Sequence, residues 1–345
     1  MIDIDFASLR LIGLNQTIIS QLDQPPPGAR LVRITEIHRA WLTVHDGHCE
    51  LRARVLPALH SQDLAVGDWV LSTTLAHDEH WLCALLPPVT HIGRRGHHGQ
   101  HHSLVSNVDT ALLVMGLDHD FNPRRLERYL TIVKTAQVDP VVVLSKADVA
   151  QDVAQRMALL RQRLPAGIPV LAVNTLSADA TLQLAPWLGA GQTLVLLGSS
   201  GAGKSSLTNT LTQAHQPTGG VRHGDHRGRH TTTSRSLHQC ASGACIIDTP
   251  GLRSWQADAD ESSIAASFED IDALAAQCQF RDCRHASEPG CAVRGVIDGD
   301  RLQNYHKLLR DARRSGQSPL ERIAEVAKWK VLQRAASARN KQKMR

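Results

Sequence analysis

The stretch Thr193–Ser206, TLVLLGSSGAGKSS, constrains this chain more than any other. Leu194–Leu197 read as a buried strand that runs into a glycine-rich turn: Gly198, Ser199, Ser200, Gly201, Ala202 and Gly203. Lys204, Ser205 and Ser206 follow and open a helical pattern. The spacing G-x-x-x-x-G-K-S is that of a phosphate-binding loop. Glycines let the chain turn so that successive backbone N–H groups face phosphate oxygens. The start of the next helix adds positive partial charge at the same point. Lys204 is placed to reach the terminal phosphates, and the Ser205 hydroxyl to ligate magnesium. A nucleoside triphosphate with Mg2+ is the expected ligand.

Two further motifs say which nucleotide. Pro140–Leu144 is a second apolar strand, and it ends in Ser145, Lys146, Ala147 and Asp148. A carboxylate at the end of such a strand accepts from the paired N–H donors of guanine, which adenine lacks, while the lysine stem covers the base plane. Ser145 stands where asparagine is commoner in the guanine element [N/T]-K-x-D, and the smaller serine is expected to brace the loop less well. Gly243–Ile247 is a third strand and ends in Asp248-Thr249-Pro250-Gly251. Asp248 there is a water-mediated magnesium partner, and the Gly251 amide faces the terminal phosphate.

The order of these motifs departs from that of ordinary GTPases. The base-reading element (145–148) precedes the phosphate loop (198–205), and the D-x-P-G element (248–251) comes last. The same parallel sheet can be built with the chain cut elsewhere, so the pattern is that of a circularly permuted GTPase domain over 100–265. The segment after Gly251 then leads directly into whatever follows. The intervening apolar segments support this: a strand at Thr110–Met115, a helix capped by Asn122-Pro123, a helix over Val149–Leu164, a strand at Ile168–Val173 and a short helix at Leu182–Leu188. Arg222–Ser236 is polar and is read as a mobile loop.

Upstream, residues 1–29 are read as an extension ending in the stiff linker Gln24-Pro25-Pro26-Pro27-Gly28. Five short alternating segments follow in residues 30–95: Leu31–Glu36, Ala40–His45, Glu50–Leu56, Asp68–Thr73 and His80–Leu85. Five short strands separated by turn residues suggest an oligonucleotide-binding (OB) type β-barrel. Trp41, Trp69 and Trp81 fall on them and are assigned to barrel-core packing in preference to base stacking. Residues 93–102, GRRGHHGQHH, form a basic connector open to three readings: a flexible loop, an RNA-facing loop or a metal site.

Downstream, Cys278, Cys283, His285 and Cys291 lie within 14 residues. Three thiolates and one imidazole suit a closed tetrahedral zinc site, hence one structural Zn2+ in a helical domain over 266–345. Cys49, Cys83, Cys240 and Cys245 are read as ordinary buried cysteines. Helices are expected at Leu302–Arg313 and after the Ser318-Pro319-Leu320-Glu321 capping box. Residues 301–345 hold 13 Lys and Arg against 3 Asp and Glu, a local charge of +10 on a chain whose net charge is +5. A polyanion is the expected partner of that end. No apolar run is long enough for a membrane span, and the N-terminus lacks a signal pattern, so a cytoplasmic location is expected.

Together the permuted motifs, SNVDTALLVMGLDHDFNPRRLERYL, GRHTTT, DTPGLRSW and CQFRDCRHASEPGC resemble the RsgA family of small-ribosomal-subunit biogenesis GTPases. The resemblance covers residues of roughly 30–310 and implies a barrel, a permuted GTPase domain and a zinc domain. It also implies the small subunit and its rRNA as partners, GTP hydrolysis stimulated by that subunit, and a monomeric chain. Residues 1–29 lack the strongly basic extension that many members carry. Leu252 stands where many GTPases place a water-orienting glutamine, so intrinsic hydrolysis is expected to be slow. His230 is the candidate catalytic residue, entering once its loop is ordered. One of Thr231–Thr233, taken as Thr232, completes the magnesium shell with Ser205 and Asp248. A competing reading is an RNA-binding scaffold that uses GTP as a slow timer. Lys146 and Asp148 disfavour an ATPase or kinase.

Overall fold

Asp5 and Asn15 each cap a short helix, their side chains accepting from the amides of Ser8 and Ile18 at 3.1 Å. The computed structural model describes residues 4–22, 25–75, 79–95, 101–212, 235–249 and 261–316. The capped helices are α1 (Phe6–Arg10) and α2 (Gln16–Ile19). Leu9, Ile12, Leu14 and Ile18 from this segment are buried in the largest core cluster. The expected extension is therefore a packed element. Its caps and apolar spacing are present in the sequence, but the helices are too short for periodicity to reveal them.

Five strands follow: β1 (Arg30–Ile37), β2 (Leu42–His45), β3 (Glu50–Val55), β4 (Trp69–Thr74) and β5 (His80–Leu85). They pair β1–β2, β2–β3, β4–β5 and β1–β4 antiparallel and β3–β5 parallel, which closes a barrel. Its interior is aliphatic: Val32, Ile34, Leu42, Val44, Ala53, Val70 and Leu82. None of the three tryptophans fills it, which corrects the sequence reading. Each immediately precedes an inward residue (Leu42, Val70, Leu82), so strand alternation turns the indole outward. Trp69 is buried between barrel and sheet, whereas Trp41 is exposed under Arg52, and Trp81 is half-buried under Arg54.

The histidine-rich connector runs from β6 (His91–Arg95) into β7 (His101–Ser106), which pair as a hairpin, so its two ends are strands rather than loop; residues 96–100 lie outside the described residues. Beyond it come β8 (Thr110–Gly116), α3 (Pro123–Thr135), β9 (Asp139–Ser145), α4 (Val153–Arg163), β10 (Val170–Ala172), α5 (Asp179–Leu184), β11 (Thr193–Gly198), α6 (Lys204–Thr212), β12 (Ser236–Gln239) and β13 (Cys245–Asp248). Spatial order is β10-β9-β8-β11-β13-β12, all parallel except β12. The chain enters in the middle at β8, builds outward to β10, returns to the middle at β11 and builds the other way. The direction reverses between β8 and β11. Helices cover both faces, with Leu126, Leu130 and Leu160 buried on one and Leu184, Leu207 and Leu211 on the other. Two local expectations shift. α4 begins at Val153 because Lys146 takes a left-handed conformation (φ 61°) and a turn follows. β12, unread in the polar stretch, runs antiparallel to β13 and joins the sheet to the barrel through Glu36 opposite Ser236.

The C-terminal part contains α7 (Glu261–Ser267), α8 (Glu269–Ala275) and α9 (Gly299–Gly316). Their core is small: Ile264, Phe268, Ile271, Val293 and Leu308. The expected helix after Ser318 lies outside the described residues.

One buried cation joins three of these parts. Arg33 on β1 is fully buried and donates to the carbonyls of Ile12 (2.5 Å), Gly67 (3.1 Å) and Asn107 (2.9 Å) and to the Thr193 hydroxyl (2.9 Å). Its guanidinium also lies 5.4 Å from the centroid of a Trp69 ring. Burial pushes its pKa down, with the charges of Cys245, Asp109 and Asp68 opposing. Arg33→Ala takes this donor from all of these buried acceptors and is expected to lower stability by roughly 3 kcal/mol or more. Urea unfolding followed by tryptophan fluorescence checks this; a midpoint equal to wild type contradicts it.

Candidate functional site

The carboxyl ends of β8, β9, β11 and β13 all lie at one edge of the sheet. That edge, at the reversal between β8 and β11, is where open α/β sheets bind ligands. Gly198 ends β11 opposite Val114, and a Cβ there would meet the Val114 carbonyl oxygen at 2.4 Å. Gly201 (φ 84°) and Gly203 (φ 92°) take conformations that favour glycine. The turn therefore passes close over β8 and enters α6 at Lys204. Lys204 is buried and folds back over the loop, donating to the carbonyls of Gly198 (3.1 Å) and Ser199 (2.9 Å). Burial pushes its pKa down, and the charges of Asp248 and Asp120 push it up.

The base-reading element stands against this loop. Ser145 is fully buried and donates its hydroxyl to the Ala202 carbonyl at 2.6 Å. Its Oγ also lies 3.3 Å from where a Gly203 Cβ would sit. The serine thus ties the turn after β9 to the phosphate loop directly. Lys146 is half-buried, with its ammonium 2.7 Å from Asp118. Asp148 is exposed at the same edge. On the other side, Asp248 is fully buried at the end of β13, with the Ser205 hydroxyl 3.4 Å from its Oδ2. Thr249 holds that strand end by donating to the Leu196 carbonyl at 2.6 Å. A hydroxyl and a carboxylate side by side are the oxygen donors that a hard cation such as Mg2+ takes, so the residues fit the ion. Gly251, Leu252, His230 and Thr231–Thr233 lie outside the described residues.

Sequence reasoning missed two neighbours of this site. The turn after β10 runs alongside: the Ala147 amide donates to the Val173 carbonyl at 3.3 Å, and Thr210 donates to the Thr175 carbonyl at 2.6 Å. Leu176 on that turn is 76% exposed, an apolar side chain on the base side of the edge. The other neighbour is the Asp118–Asp120 turn after β8. Burial works against the Asp118 carboxylate, but the Lys146 and Asp120 hydrogen bonds and the charges of Lys146 and His119 outweigh it and hold its pKa below the usual value. Neither turn contains a glycine pattern or repeated spacing that would mark it.

In the C-terminal part, the ligand atoms of Cys278, Cys283, His285 and Cys291 all lie within 4.8 Å of one another. The His285 Nδ1 is 3.6 Å from the Cys278 sulfur and 3.4 Å from that of Cys291. Tetrahedral zinc with ordinary Zn–N and Zn–S bonds requires N···S separations of about 3.5 Å, so the donor set fits that ion. Glu288 braces the knuckle by accepting from the amides of Arg284, Ala286 and Ser287, which, with its own amide first, bring its pKa down to about 2. Cys240 and Cys245 are buried and stand apart from this cluster, whereas Cys49 is exposed and Cys83 half-buried, which corrects the expectation that all four are buried.

A family model described as RsgA GTPase matches residues 88–258. The small ribosomal subunit biogenesis GTPase RsgA of Xanthomonas axonopodis pv. citri (strain 306) is 43% identical over 315 residues, spanning 87% of this chain and 85% of that protein. This chain belongs to the RsgA GTPase family. The RsgA of Xanthomonas oryzae pv. oryzae (strain MAFF 311018) is likewise 43% identical, over 314 residues. Among solved structures, YjeQ from Thermotoga maritima has a TM-score of 0.61 at 22% identity, covering 84% of this chain and 99% of its own. YloQ, described as a circularly permuted GTPase, has a TM-score of 0.59 at 21% identity, covering 86% and 99%. The likeness to these two concerns the fold alone.

In this member the cysteine-bearing part is fastened to the GTPase sheet through Glu127 of α3. Its carboxylate is almost fully buried and accepts from Arg163 Nε (2.9 Å), Arg301 Nη1 (2.7 Å) and Asn304 Nδ2 (2.5 Å). Arg301 also pairs with Asp270 at 2.8 and 2.6 Å and lies over the Phe268 ring. Arg163 and Arg124 both reach Asp300. Removing Glu127 takes three charge-assisted hydrogen bonds from this buried network, a loss of about 3 kcal/mol even though Arg301 keeps Asp270 and Arg163 keeps Asp300. Glu127→Ala is therefore expected to speed amide exchange in α8 and α9 by at least about tenfold while β8–β11 keep their protection. Unchanged exchange in α8 and α9 contradicts this account.

Proposed function

We propose that this chain is a GTP-hydrolysing assembly factor for the small ribosomal subunit, binding subunit rRNA and leaving after hydrolysis. The observation that carries the reading is the convergence of Lys146–Asp148, Gly198–Ser206 and Asp248 on one sheet edge. It occurs in a chain 43% identical over most of its length to proteins named as small ribosomal subunit biogenesis GTPases.

In this reading Asp148 accepts from the guanine N1–H and N2–H2 while the Lys146 stem covers the base. The amides of Gly198–Ser206 cradle the phosphates, and Lys204 gives up the Gly198 and Ser199 carbonyls for phosphate oxygens. Ser205, Asp248 and Thr232 are the residues that would hold Mg2+, and the Gly251 amide would meet the terminal phosphate. The ion supplies charge neutralisation at the β- and γ-phosphates. Leu252 cannot orient water, so hydrolysis is slow until the partner brings His230 to the site. There His230 positions the attacking water. Cys278, Cys283, His285 and Cys291 hold one structural Zn2+, which stabilises a helical module whose own core is small. The basic C-terminal stretch faces rRNA phosphates, and Glu127 and Arg301 transmit the docking of that module to α3.

Single-turnover hydrolysis with and without purified small subunits tests the reading. Subunits are expected to raise the rate by about tenfold or more, and His230→Ala to abolish most of that gain with nucleotide affinity unchanged. Absence of stimulation favours the scaffold reading instead. Full stimulation of the His230→Ala protein removes His230 from the mechanism.

A further inference from the structure

Two carboxylates of the GLDHD stretch, to which no role has been given above, stand at the reversal point of the sheet. Asp118 and Asp120 lie on the turn after β8, between the base-reading turn of β9 and the phosphate loop of β11. The turn is folded tightly on its own strand, since a Cβ on Gly116 would meet Asp118 Oδ1 at 2.6 Å. Asp118 Oδ1 accepts the Asp120 amide at 3.0 Å, and its Oδ2 accepts the Lys146 ammonium at 2.7 Å. Asp120 is buried and faces the other way. Its Oδ1 accepts the Ser199 hydroxyl at 2.5 Å and Arg125 Nη2 at 2.5 Å, and its Oδ2 accepts the Gly116 amide at 3.1 Å. One short turn thus holds the lysine of one nucleotide-reading loop and the second residue of the other.

We infer that Asp118 and Asp120 are positioning residues for the two halves of the nucleotide site, Asp118 setting Lys146 against the base and Asp120 setting the phosphate loop through Ser199. The inference rests on the GTP-site reading above. Its physical content is a division of labour. Lys146 sits in a left-handed conformation on a partly exposed turn, and an ammonium on a flexible stem keeps one direction only if something fixes it. The phosphate loop leaves β11 at Gly198, and Ser199 is the first residue beyond the strand. Its side chain is anchored on Asp120, and its carbonyl is one that Lys204 occupies. A fixed Ser199 therefore fixes the start of the phosphate cradle. Preorganised loops bind more tightly because the ordering cost is met before the ligand arrives.

The test uses the full chain and displacement of a fluorescent GDP analogue by GDP and by inorganic tripolyphosphate, which carries phosphates and no base. Asp118→Ala is expected to weaken GDP by about tenfold, the equivalent of one charge-assisted hydrogen bond, and to leave tripolyphosphate within about twofold. Asp120→Ala and Ser199→Ala are expected to weaken both ligands by the same factor of about tenfold. The double variant should be no weaker than Asp120→Ala alone, because both substitutions remove one interaction. Asp120→Asn keeps an oxygen for the Ser199 hydroxyl and should recover most of the loss. If Asp120→Ala folds poorly, Ser199→Ala and Asp120→Asn still decide the phosphate half. Variants that bind both ligands like wild type overturn the inference, as does Asp118→Ala weakening tripolyphosphate as much as GDP. A wild-type chain that binds no guanine nucleotide overturns the GTP reading itself, which is a different result from wild-type-like variants.

Discussion

The pairing of β11 against β8 is the constraint on which the rest of the molecule depends. These two strands are far apart along the chain, yet they run parallel in register from Leu194 opposite Thr110 to Gly198 opposite Val114. A one-residue slip would turn Val195 to the opposite face of the sheet. It would also carry Gly198 away from Val114, where only a residue without a side chain fits. Held in this register, the phosphate loop leaves β11 beside the Asp118–Asp120 turn and against Ser145. The three motif-bearing strand ends meet although the chain visits them in an unusual order. Circular permutation changes which loops connect the strands and leaves this geometry intact, because the sheet needs adjacency in space and not in sequence.

Two buried polar junctions fasten the accessory parts to this body. Arg33 ties the N-terminal helices and barrel to the first residue of β11 through Thr193, using neutral acceptors. Glu127 ties the cysteine-bearing part to α3 through Arg301 and Asn304 of α9, with Arg163 of α4 on the same carboxylate. Each junction is costly to leave half-satisfied, so each specifies one docking arrangement more strongly than an apolar contact of the same size. The barrel has a second link, the Glu36–Ser236 bridge, to the strand whose neighbour β13 ends in Asp248. α3, which carries Glu127, also carries Arg125, the partner of Asp120. Both accessory parts thus connect to the sheet edge through few, named side chains.

Much of this is legible in the sequence, and what is not has physical causes. Strands of four to eight residues with β-branched runs, the Asn122-Pro123 cap and the glycine spacing at 198–203 all act locally, so local reading finds them. β12 escapes such a reading because Ser236–Gln239 is polar and owes its strand conformation to pairing with β13. The helices at 6–19 escape it because each is too short to show a period; tertiary burial of Leu9 and Ile18 forms them. Size alone assigns the tryptophans to the barrel interior, although the aliphatic residue after each already fixes the alternation. Asp118, Asp120 and Glu127 are illegible as a group, since a carboxylate's partner is a tertiary fact. Ser145 reaches the Ala202 carbonyl because Gly203 lets the loop come close, a contact that the serine-for-asparagine difference alone does not reveal.

The proposed reading of guanine by the turn after β9 rests on one exposed carboxylate, Asp148. Asp148→Asn tests it most directly, by measuring affinities for GDP and for xanthosine diphosphate. Xanthine presents a carbonyl where guanine has its amino group, so an amide side chain suits it as a carboxylate suits guanine. The account predicts that GDP affinity falls by at least about a hundredfold while xanthosine diphosphate becomes the preferred ligand. A variant that still prefers GDP as wild type does would contradict it.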